Sequence, residues 1–125
     1  MSVSLDWLVS VDDHVLEPPH VWQDRLPAAH REAGPRIVRD EQGEAWVFEG
    51  KRMPTTGLSA AAGKKREQFS PLPVTYEDMR PGCYEPAARV ADMNRAGVLV
   101  SLSFPSLPRF CGQTFTEASD RELGL

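Results

Sequence analysis

Apolar residues fall along this chain in short blocks whose spacing changes from one block to the next. Leu8-Val9-Ser10-Val11 is a mainly β-branched run that stops abruptly at Asp12-Asp13-His14, the pattern of a buried strand emerging at a polar rim. Pro18-Pro19 ends extended pairing, and Pro19 suits the first position of a short helix through Leu26, with Val21, Trp22, Arg25 and Leu26 on one face. From Arg36 to Met53 the pattern becomes hairpin-like. Ile37-Val38, the turn residues Asp40 to Gly43, the run Trp46-Val47-Phe48 and a second turn at Glu49-Gly50 predict an antiparallel hairpin or three-strand meander over residues 36–53.

Residues 54–84 carry repeated Pro and Gly with little apolar periodicity and predict a long loop. Loops of that length are usually functional or mobile. Regular structure resumes at Glu85, where Pro86 fits a first helical turn. Val90, Met93 and Ala96 then recur at helical spacing, and Gly97 supplies a left-handed stop. Val98 to Phe104 follows as an apolar run bounded by Pro105, a second strand of the buried parallel kind. Ser119-Asp120-Arg121-Glu122 matches a capping box that opens another helix at Leu123. That helix has a start signal without a stop signal, so a continuation past Leu125 is expected.

Composition narrows the function classes. With 14 Lys+Arg against 18 Asp+Glu, the formal net charge of -4 offers no basic field, so nucleic acid is excluded as an expected partner. Lys64-Lys65-Arg66 reads as a solvated loop. Met1 to Asp6 lack the charged and apolar regions of a secretory signal, and no apolar run approaches membrane-spanning length, so a cytoplasmic protein without a membrane partner is expected. Cys83 and Cys111 stand apart without a CxxC pattern and are expected as reduced thiols. Cys111, in a loop after Arg109-Phe110, has no base placed beside it by sequence.

Functional residues of parallel α/β units project from the C-terminal ends of strands. Asp12 and His14 hold that position. At strand period 2 they point one way and Asp13 the other, so a carboxylate and an imidazole can converge on one divalent ion. Such sites need three or four protein ligands, and the triplet alone fits a capped turn with a locally packed histidine better than a metal site. Glu17 is placed to orient a ligand from behind, or to be an ordinary loop carboxylate beside Pro18. His20 and His30 fit surface positions.

The string Val11-Asp12-Asp13-His14-Val15-Leu16-Glu17-Pro18-Pro19-His20-Val21-Trp22 resembles the opening of the amidohydrolase-related family, which includes aminocarboxymuconate semialdehyde and resorcylate decarboxylases. Arg80-Pro81-Gly82, Ala87 to Met93, Gly97-Val98 and Phe104-Pro105 look like that family's approach to its second barrel strand. The resemblance implies the α/β fold of the N-terminal part of a metal-dependent hydrolase (β/α)₈ TIM barrel, with residues 36–53 as a small antiparallel β excursion and the barrel incomplete in this chain. It implies a metal site at Asp12 and His14, with Zn²⁺ expected and Mn²⁺ or another divalent ion as alternatives. Asp12 stands where many members have His, which leaves the metal and its affinity open. Glu17 and Phe104 would lie around the site as supporting or substrate-loop residues, while the later histidines and acid/base aspartate have no counterpart here and are expected beyond Leu125.

The implied substrate is a small carboxylate-bearing or cyclic organic molecule. Polarising its carboxylate would give a carboxy-lyase, and activating water would give a hydrolase. An inactive binding module, and one part of a split barrel completed by another chain or a homo-oligomer, are the alternatives. A barrel needs about 200 residues or more, so the two strands are expected to be partly exposed if these residues stand alone.

Overall fold

The computed structural model describes residues 7–55, 57–59 and 61–124. Met1 to Asp6, on which the reading of the N-terminus rests, and Leu125 lie outside the described residues. The fold is mixed α/β, with one parallel and one antiparallel sheet, and neither sheet closes into a barrel.

The parallel sheet pairs β1 (Leu8–His14) with β5 (Val98–Phe104). The two strands meet through α1 (Pro86–Ala96), which Pro86 starts and Gly97 stops. Gly97 has φ 69°, a left-handed conformation that a residue without a Cβ adopts at little cost. Its carbonyl then accepts from the Leu8 N–H at 2.7 Å, which starts the pairing of β1 with β5.

Two strands and one helix cannot cover both faces of a parallel sheet. Val9, Val11, Leu99, Val100 and Leu102 are accordingly each about half exposed or more. The apolar face read on α1 is also incompletely covered: Met93 and Ala96 line a crevice against Ser10 and Val98, whereas Val90 is exposed. The sheet offers too little surface for the whole helix face.

The antiparallel sheet is a meander of β2 (Arg36–Asp40), β3 (Gly43–Phe48) and β4 (Lys51–Pro54). At its second turn Glu49 and Gly50 both have positive φ, 47° and 73°. Two left-handed residues match the right-handed strand twist of a tight hairpin. This small sheet carries the core. Trp46 of β3 is buried with Tyr76, Met79 and Leu107, and Leu16, Trp22, Ile37, Met53 and Phe115 pack around them. Trp22 meets Trp46 edge to face at 4.8 Å between ring centroids.

Two local expectations are corrected, and one segment gains detail. Residues 19–26 form successive turns rather than a helix: the Val21 and Arg25 amides bond three residues back, and those of Asp24 and Leu26 bond four back. Pro18 and Pro19 lack amide donors, and Pro27 disfavours helical geometry at Leu26. Along the stretch 54–84, single 3-10 turns at Arg66–Gln68, Tyr76–Asp78 and Pro81–Cys83 punctuate the loop, and Tyr76 and Met79 pin it to the core. The last helical turn, Arg121–Gly124, is capped by Asp120, not Ser119. The Asp120 carboxylate accepts from the Glu122 and Leu123 amides, while the Ser119 amide donates to Glu49. A carboxylate is the stronger acceptor beside a helix N-terminus.

Candidate metal-binding cleft

At the C-terminal end of β1 the chain separates its three polar residues by side. Asp12 and His14 face outward, with Oδ1 and Nε2 3.6 Å apart and side chains 81% and 71% exposed. Asp13 faces α1, where the Ser101 hydroxyl donates to its carboxylate and the Arg89 guanidinium lies 3.1 Å away. The hydroxyls of Ser101 and Ser10, with help from Arg89, hold the Asp13 carboxyl below the usual carboxylate range. Because the folded value lies below the unfolded value of about 3.9, this contribution is full above about pH 4 and is lost as pH falls through the folded value. Asp13→Asn should therefore flatten the decline in stability below about pH 4. Thermal melts across an acid series check this, and an unchanged slope would mean that the network adds nothing.

Asp12 and His14 open on a cleft of about 810 Å³ that is also lined by Phe104, Arg109, Phe110 and Cys111. The Phe104 ring lies 5.9 Å from the His14 imidazole, centroid to centroid, and tilted 39° to it. Two donors about 2.0 to 2.2 Å from a shared ion, at a tetrahedral or slightly wider angle, stand about 3.3 to 3.8 Å apart. The 3.6 Å separation therefore fits joint ligation of one divalent ion. Among the described residues, no group of three or more His, Cys, Asp and Glu is placed to hold an ion. Cys83, which borders a smaller hollow beside His14, is pushed up by burial and stays a thiol at neutral pH.

Glu17 turns toward the loop after β5. It is buried, and its carboxylate accepts hydrogen bonds from the Ser106 amide at 2.7 Å and the Leu107 amide at 3.1 Å. Its own carbonyl accepts from the Tyr76 hydroxyl at 2.8 Å. Its hydrogen bonds thus fix the loop after β5 rather than His14. Burial pushes the Tyr76 hydroxyl far above its ordinary pKa, so it remains a donor throughout the working pH range.

Sequence reasoning missed Arg109 and Phe110 as cleft residues, and the structure brings Cys111 to the same cleft. One signal was available, since these residues follow the C-terminal end of a parallel strand, where site loops converge. His20 lies apart, 3.9 Å from Asp24 on the exposed surface, and His30 ends a single 3-10 turn.

No protein-family model matches the chain, and no curated protein matches it either. Among the described residues, no helix is long and apolar enough to cross a membrane.

Proposed function

We propose that this chain is the N-terminal part of a metal-dependent amidohydrolase-type (β/α)₈ enzyme, with Asp12 and His14 as two ligands of a divalent ion, Zn²⁺ foremost. The observation that carries the reading is the 3.6 Å approach of these side chains at the C-terminal end of a parallel strand, open to a large cleft. The motif resemblance around Val11 to Trp22 supports it independently. The reaction is decarboxylation or hydrolysis of a small carboxylate-bearing or cyclic organic substrate, with decarboxylation preferred.

A bound divalent ion would supply Lewis acidity to a substrate oxygen. In the chain itself, Asp12 would contribute a carboxylate oxygen and His14 an imidazole nitrogen, with the Phe104 ring beside the imidazole. Because the two donors are fewer than a catalytic site needs, the remaining ligands and the acid/base group come from strands these residues do not contain. The exposed faces of β1 and β5 favour strands added by further sequence or by another chain, the split-barrel form of the same proposal. A cytoplasmic setting without nucleic-acid or membrane partners accompanies it.

Zinc titration of the chain and of its Asp12→Asn and His14→Ala variants tests the reading. Two ligands should give weak binding, and each substitution should lower affinity by about tenfold or more, the loss of about 1.4 kcal/mol or more. Equal zinc uptake by all three proteins would remove the metal site.

A further inference from the structure

We infer that Arg109 is a specificity-determining residue of this cleft, where it recognises the carboxylate of a flat organic anion whose apolar body lies against Phe104 and Phe110. The inference deepens the proposed function for the same cleft, but the Arg109 contact itself needs no metal.

Its first ground is charge. Among the described residues, Arg109 is the one permanent cation lining the cleft that holds Asp12 and His14, and it also borders two neighbouring hollows. Of the other arginines, Arg39 pairs with Glu44 and Glu77, Arg52 with Asp40, Arg80 and Arg95 with Asp92, and Arg89 with Asp13, while Arg25, Arg31 and Arg36 donate to backbone carbonyls and Arg66 and Arg121 lie away from the cleft. Arg109 forms no ion pair among the described residues. An unpaired guanidinium is a planar, fork-shaped donor matched to a carboxylate. Asp12 brings the opposing charge to the cleft, which a divalent ion at Asp12 and His14 would offset.

The second ground is the apolar surface beside it. Phe110 is 82% exposed, although it follows Arg109 directly in a cleft wall, and Phe104 is 38% exposed. Unburied aromatic rings in a concave site with a few polar groups are the usual lining of a small-molecule pocket.

The third ground is conformational. Arg109 has φ 60° and ψ -167°, a region nearly confined to glycine. The loop imposes it: Ser106 and Leu107 are fixed by Glu17, the Thr114 amide donates to the Pro108 carbonyl at 3.1 Å, and the Thr114 hydroxyl donates to the Leu107 carbonyl at 2.7 Å. A side chain held at a costly backbone position, without an ion-pair partner among the described residues, fits a role in binding rather than in folding.

Benzoate and its neutral isostere benzamide are the probes, titrated against the full chain by ligand-observed NMR, with chelator and then with zinc. Benzoate should bind more tightly than benzamide under both conditions. Arg109→Gln should weaken benzoate by about tenfold or more, leave benzamide within about twofold, and be partly rescued by Arg109→Lys. Arg109→Gly should abolish the preference while raising the melting temperature by about 3 °C or more.

No benzoate binding by the parent chain, or equal benzoate binding by Arg109→Gln, would overturn the inference. So would a lower melting temperature for Arg109→Gly, because the side chain would then serve the fold. Benzoate selectivity lost with Arg109 in a chain that takes up no zinc would sink the metal site and sustain this inference. Zinc uptake without benzoate selectivity would do the reverse.

Discussion

Trp46→Ala should cost about 3 to 5 kcal/mol, enough to unfold a large fraction of a protein whose total stability is of order 5 to 15 kcal/mol. Trp46 is 4% exposed at the centre of the only buried cluster among the described residues. Its ring is where Trp22, Tyr76, Met79 and Leu107 meet, so truncation opens a cavity between four separate segments of chain. The T-shaped contact with Trp22 would be lost as well. Urea denaturation followed by far-ultraviolet circular dichroism measures the cost, and Trp46→Phe should recover much of it by keeping an aromatic ring. A loss below about 1 kcal/mol for the alanine variant would mean that the core can collapse around the gap.

Glu17→Ala should cost about 2 to 4 kcal/mol through a different mechanism. The carboxylate is the shared acceptor for the Ser106 and Leu107 amides, and Leu107 is itself buried. Removing it strands the Leu107 amide at a buried residue, which is worse than never having made the bond, and also releases the amide of the exposed Ser106. Glu17→Gln keeps one acceptor oxygen and should cost about half as much or less. Amide hydrogen exchange at Ser106 and Leu107 provides the local readout, and protection retained in Glu17→Ala would assign these amides to another acceptor. Because the same loop carries Arg109, Glu17→Ala should also weaken carboxylate binding in the cleft.

The exposed parallel pair and the buried meander invert the weight that the sequence suggests for them. Val98 to Phe104 carries five apolar residues in seven, yet Leu99 is 63% and Leu102 55% exposed. Its composition suits a sheet covered on both faces, and here one helix covers part of one face. Residues 36–53 read as an excursion, yet Ala45, Trp46 and Phe48 of β3 are buried within them. Any partner strand that docks against β1 and β5 would restore the burial for which their composition is suited.

What the sequence determined by itself is what local chemistry specifies. β-branched runs marked β1 and β5, Pro86 and Gly97 bounded α1, and the turn residues Asp40 to Gly43 and Glu49-Gly50 set the meander. The two-residue period of a strand put Asp12 and His14 on one side and Asp13 on the other. Tertiary structure alone decided which sheet would hold the core, because Trp46 is enclosed by residues brought from Trp22, Tyr76 and Leu107, far apart in the chain. It also decided that Glu17 would hold the loop after β5 and that Arg109 would enter the cleft. Such contacts join positions with no shared period or motif, and only the closing of long stretches of chain brings them together.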